Sequence, residues 1–139
     1  MIEAYFHGDC EPNIETGLMA HSIIVYMNDM KIYQLSKTYH RKDRAASNNI
    51  SAYNGVISVF HYISDENFTD VKIYGDSKLV IEQLNGNWEV KEGKYKISAL
   101  YAKEELKFLN ENQNRNIILE WIPKEKNEEC RNLSRQHYE

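Results

Sequence analysis

Residues 71–90 read VKIYGDSKLVIEQLNGNWEV, and the parsing of this stretch decides the fold. Val71, Ile73 and Tyr74 make a short β-rich run that stops at Gly75. Asp76 and Ser77 are helix-capping residue types placed just before Leu79, Val80 and Leu84, and Asn85 with Gly86 is a helix stop. A strand that runs straight into a helix is half of a crossover between parallel strands. The flanking chain must therefore supply a sheet that this unit can enter.

On the N-terminal side, Ile2, Ala4 and Phe6 alternate with Glu3, Tyr5 and His7, the period of a strand with two different faces. Gly8 is expected to end it, with Asp9 in the turn. Residues 18–27 (LMAHSIIVYM) and 30–38 (MKIYQLSKT) are two further strands, joined at Asn28 and Asp29, which tolerate the positive φ of a two-residue hairpin. In SNNISAYNGVISVF (47–60) the leading Ser and Asn residues are caps, and Ile50, Tyr53, Val56, Ile57, Phe60 and Ile63 recur at three and four. That spacing predicts an amphipathic helix of about four turns. On the C-terminal side, apolar residues from Ile97 to Leu109 mark a helix over about 94–111, NIILEW (116–121) is a strand closed by Pro123, and a short helix starts at Asn127. Three strands, helix, strand, two helices, strand and helix predict a mixed α/β sheet that begins as an antiparallel meander.

Composition narrows the class. With 139 residues, 42% of them hydrophobic and 27% charged, the chain is expected to form one soluble domain over 1–139. No apolar run reaches the roughly 18 residues of a membrane span, and the first twenty residues lack a signal-peptide pattern, so an intracellular, cytoplasmic protein with no membrane partner is expected. Cys10 and Cys130 make neither a disulfide framework nor metal-ligand spacing, and both read as reduced thiols. The net charge of −4 argues against a generally sticky nucleic-acid binder but leaves room for local basic segments at YHRKDRAA (39–46) and WEVKEGKYK (88–96). Each of those also reads as an ordinary solvated loop.

Taken together, VKIYGDSKLVIEQLNGNWEV, SNNISAYNGVISVF upstream and LEWIPKEKNEECRNLSRQ (119–136) downstream resemble the type 1 ribonuclease H family, in the compact form without a basic helical protrusion. The resemblance covers most of the chain in the right order. It implies a ribonuclease H-like five-stranded sheet in order 3-2-1-4-5, the first three strands antiparallel, with helices packed on it. It also implies a site at the carboxyl ends of the central strands, where two Mg2+ or Mn2+ ions cleave the RNA strand of an RNA/DNA hybrid. Two divalent ions about 4 Å apart repel, so such a site needs several anionic oxygens. The family supplies four carboxylates, and carried over residue by residue only one stands here. Asp76 matches the third. His7, in YFHGDCEPN (5–13), holds the first position, Ala52, in NNISA (48–52), the second, and Arg131, in NEECRNL (127–133), the fourth.

One Asp, one Arg and a mostly neutral His give that site a formal charge near zero, poor holding for magnesium. No metal cofactor is expected; if one binds, Asp76, Asp9 and Glu128 form the displaced acid cluster. The resemblance further implies nucleic-acid contacts at Asn13, Ser47, Asn48 and Asn49, with Ser77 and Lys78 beside Asp76. His7 and Arg131 put bases where the family has acids, and such side chains, when cationic, can hold a phosphate where the metals would sit. Ser47, Asn48 and Asn49 also read as caps of the first long helix. The segment NIETG (13–17) and Lys78 depart from the family pattern. The leading reading is a ribonuclease H-like protein that has lost catalysis and binds RNA/DNA hybrid or structured RNA. The rivals are an active metal-dependent ribonuclease using the displaced cluster, and a protein-protein interaction or inhibitor module on the same fold.

Overall fold

The computed structural model describes residues 1–10, 18–40 and 47–136. Its strands are β1 (Ile2–Cys10), β2 (Leu18–Met27), β3 (Met30–His40), β4 (Asp70–Gly75) and β5 (Asn116–Trp121). Its helices are α1 (Asn48–Asp65), α2 (Lys78–Leu84), α3 (Lys96–Lys107), which runs on into a π-helical turn over Phe108–Asn112, and α4 (Glu128–Arg135), preceded by a 3-10 turn over Lys124–Lys126. One five-stranded sheet results, in order β3-β2-β1-β4-β5. Strands β1, β2 and β3 pair antiparallel, and β4 lies parallel to both β1 and β5. The expected order and the expected meander are both present.

Local chemistry explains the joints. Asn28 and Asp29 have φ of 48° and 68°, the paired positive values that a tight hairpin with the sheet's own twist requires. Helix α2 ends where Gly86 adopts φ of 82°, a conformation that costs glycine nothing. Packing does the rest. Ile2, Ala4 and Phe6 turn from β1 into a core filled by Tyr53, Val56, Val59, Phe60 and Ile63 of α1, all buried. Gln83 of α2 lies inside this core but is satisfied: it accepts from the Tyr53 hydroxyl and donates to the Glu89 carbonyl at 3.0 Å and the Tyr95 hydroxyl at 3.1 Å. That buried network fastens α2 to α1 and to the segment before α3.

The strand β1 corrects one expectation. It does not stop at Gly8 but continues through Cys10, with Gly8 opposite His21 and Asp9 opposite Ala20. Gly8 is there for a tertiary reason. A Cβ at this position would lie 2.2 Å from the backbone of Ser51 and Ala52, so the missing side chain lets the first turns of α1 rest directly on the strand. Asp9 is consequently a strand residue and not part of a turn. Among the described residues, no helix is long and apolar enough to cross a membrane.

Candidate functional site

Strand register brings the site together. Phe6 pairs with Gly75 across the parallel β1–β4 ladder, so the residues that follow, His7 and Asp76, emerge side by side at the carboxyl ends of the two central strands. Helix α4 closes over them. Buried Cys130 contacts Ser22 and the Tyr5 carbonyl, and this seating fixes the face on which Arg131 stands. On the far side lies the start of α1. Between these walls is a cleft of about 370 Å³ lined by His7, Gly8, Asp9, Cys10, Asn48, Asn49, Ala52, Asp76, Ser77, Lys124, Arg131 and Arg135.

The floor is a hydrogen-bonded row. His7 Nδ1 lies 3.0 Å from both carboxylate oxygens of Asp76, and its Nε2 lies 3.3 Å from Asp9 Oδ2. Carboxylates only accept, so both ring nitrogens must donate, and only the imidazolium can do that. Burial pulls the His7 pKa down, but the hydrogen bonds and negative charges of Asp76 and Asp9 outweigh it and raise it from its ordinary value, favouring the charged ring. This corrects the expectation of a mostly neutral His7. Asp76 Oδ2 also accepts from Asn127 Nδ2 at 3.1 Å, and the same amide donates to the Phe6 carbonyl at 2.9 Å. Asn127 holds the N-cap position of α4 without capping it, because its side chain faces this row instead.

The remaining expected residues fall into two groups. Ser47 caps α1 by accepting from the Ile50 N–H at 3.0 Å, and Ser77 caps α2 through the Val80 N–H at 3.4 Å. Asn48 Oδ1 accepts from the Cys10 N–H at 2.8 Å, tying the end of β1 to α1. Lys78 extends over the Trp121 ring, 5.5 Å from its centroid, and does not line the cleft. Glu128 is exposed on α4 and is likewise not among the lining residues. Asn13 and the basic run 41–46 lie outside the described residues. Three site residues escaped the sequence reading: Asn127, Lys124 and Arg135. Arg135 left a signal, since it follows Arg131 by one helical turn on the same face.

Electrostatics follow from this inventory. Among the described lining residues the cationic groups are Lys124, Arg131, Arg135 and the protonated His7, against the two carboxylates of Asp9 and Asp76. The described lining of the cleft is thus formally positive in a chain whose formal charge is −4. Arg135 Nε stands 4.0 Å from Asp9 Oδ2, and the Arg131 guanidinium reaches the Lys124 carbonyl at 3.4 Å. A pair of divalent ions does not fit this donor set. Asp76 is engaged by His7 and Asn127, Ala52 offers no donor atom, and Arg131 places a guanidinium on one wall. Among the described residues, no three His, Cys, Asp or Glu side chains are grouped so as to hold a metal ion. Neither thiol is poised for chemistry: burial raises the Cys10 pKa and pushes that of Cys130 up to about 12.

Comparison with known proteins agrees with the fold. Residues 17–137 match the family described as reverse transcriptase-like. Over 82 residues, 59% of this chain, the sequence is 33% identical to the bifunctional protein Rv2228c of Mycobacterium tuberculosis, of which the match covers 21%. The chain therefore spans about a fifth of the length of the curated relatives it matches. The crystal structure of RNase H1 from the halophilic archaeon Halobacterium salinarum superposes with a TM-score of 0.82 at 24% identity, covering 99% of this chain and 96% of that one. LC11-RNase H1, solved in complex with an RNA/DNA hybrid, gives 0.78 at 20% identity over 98% of this chain and 95% of its own.

Proposed function

Since the chain belongs to the reverse transcriptase-like family, a ribonuclease H-like family by its fold, we propose that it binds nucleic acid, an RNA/DNA hybrid or structured RNA, without cleaving it. The observation that carries this reading is the engagement of Asp76. The one carboxylate left of the family's four is bonded to a charged His7 and to Asn127, and a group so engaged is a structural anchor, unsuited to bridging metal ions. The positive lining of the same cleft supports attraction of a phosphate backbone. A structural relative has been solved with an RNA/DNA hybrid, which makes that duplex the first ligand to test. On this reading the protein needs no Mg2+ or Mn2+, and the cytoplasm, where free thiols stay reduced, is its place of work.

The experiment pairs a cleavage assay with a binding titration. A labelled RNA/DNA hybrid is incubated with Mg2+ or Mn2+ while affinity is followed across a salt series. The expected result is no metal-dependent product and an affinity that falls as salt rises. Products that vanish in Asp76→Ala would overturn the reading.

A further inference from the structure

We propose that the cleft grips a phosphoryl group directly, with Arg131 as its main donor and no metal ion between protein and phosphate. This rests on the nucleic-acid reading only for the source of the phosphate. The chemistry of the grip comes from unused donors. A guanidinium carries five N–H donors. In Arg131, Nη1 reaches the Lys124 carbonyl at 3.4 Å, close to the limit of a hydrogen bond, while Nε is buried with no partner among the described residues. Buried donors without acceptors are uncommon, and each one calls for an account.

Nearby acceptors do not answer it. Asp76 receives His7 and Asn127, and Asp9 lies against His7 Nε2 and Arg135. The acceptor that completes Arg131 is thus best supplied by a ligand. Other donors surround the same space. Arg135 stands one turn along α4, and Lys124 sits at the mouth. Opposite them, α1 begins at its Ser47 cap with no acidic side chain in its first turn, so no charge within that turn offsets the positive end of an 18-residue helix. Asn48 has its amide oxygen committed to Cys10, which leaves the two N–H donors of that amide for a ligand. Donors on two facing walls suit a tetrahedral group whose oxygens only accept, and guanidinium pairs well with phosphate. At about 370 Å³, the cleft has room for a sugar besides.

Two sources share this chemistry, the internal phosphodiester of a nucleic acid and a free phosphate, and the test separates them. Wild type, Arg131→Gln and Arg131→Lys are titrated in EDTA with inorganic phosphate, a nucleoside monophosphate and a short RNA/DNA hybrid, with thermal melting as the check on folding. The expected outcome is saturable phosphate binding without metal, competition between phosphate and hybrid, a loss of about tenfold or more in Arg131→Gln, and partial recovery in Arg131→Lys. Hybrid that binds in EDTA, is not displaced by phosphate and is indifferent to Arg131→Gln would overturn the phosphate grip and leave nucleic-acid binding standing. Phosphate bound through Arg131 with no affinity for the hybrid would do the reverse. Binding of either ligand only after Mg2+ is added defeats the proposal, and so does a protein that binds neither.

Discussion

His7 and His21 are near neighbours on paired strands, His7 opposite Ser22 and His21 opposite Gly8, and both are buried. Their surroundings drive them in opposite directions. His7 faces α4 and meets two carboxylates, which hold it charged. His21 faces α1 and meets two hydroxyls, Tyr39 at 3.3 Å from Nδ1 and Ser58 at 3.1 Å from Nε2. A hydroxyl can donate or accept, so a neutral ring is satisfied there. Burial, with the charge of Lys37 added, lowers the His21 pKa to about 4. Burial alone therefore does not decide the charge of a histidine; the donor or acceptor character of its partners does. One side of the sheet end is a charged cleft and the other is ordinary core.

Gly8, next to His7 and opposite His21, seats α1 directly on β1, and filling it should have the largest effect. Gly8→Ala drives a Cβ into the backbone of α1 and should cost about 4 kcal/mol in urea denaturation, with both histidines disturbed. Next comes Asp76→Asn, which removes a charge partner from a buried imidazolium. At pH 6 it should cost about 3 kcal/mol, and NMR titration should find the His7 pKa lowered. The cost should shrink at higher pH, where the ring can shed its proton.

The third effect is in the wild-type pH profile. A folded pKa near 4 for His21, below the unfolded 6.5, gives stability that is whole above pH 6.5 and lost as pH falls toward 4, a loss of about 2 to 3 kcal/mol. His7 works the other way. Its folded pKa is raised, so its contribution is whole below pH 6.5 and is lost as pH rises through the folded value. Considering these two groups alone, stability should peak near pH 6.5, and His21→Gln should flatten the acid side of the curve without moving the alkaline side. Asp9→Asn is the mildest change. Its contact with His7 is longer, at 3.3 Å, and more open to solvent, so about 1 kcal/mol is expected, with a smaller drop in the His7 pKa than Asp76→Asn produces.

What could be read from the sequence was whatever depends on neighbours in the chain. The Asn28-Asp29 hairpin, the three-and-four spacing from Ile50 to Ile63, and the Asn85-Gly86 stop are local devices, and each appears where the residues put it. Gly8 was misleading because glycine has two uses. In a turn it supplies backbone freedom, whereas here it makes room for Ser51 and Ala52, residues more than forty positions away. The substitutions at His7, Ala52 and Arg131 were visible as residue types, but the charge of His7 depends on the convergence of Asp9 and Asp76. Asn127 opens the NEECRNL stretch that carries part of the resemblance, but in sequence it reads as an ordinary helix-start residue, and its reach to Asp76 and the Phe6 carbonyl depends on the docking of α4.

Asn127 also has a bearing on the order of events in folding. Its amide joins α4 to the Phe6 carbonyl and to Asp76, contacts that span 121 and 51 residues of chain. Contacts of such long range close late, after the entropy of the intervening loop has been overcome. The hairpin of β2 and β3 needs no such closure. The cleft is therefore expected to assemble last, only when α4 has docked, and a chain still being synthesised would hold a nearly finished sheet before it held any binding site. Pulse-labelled hydrogen exchange should find β2 and β3 protected first and the amides of α4 protected last.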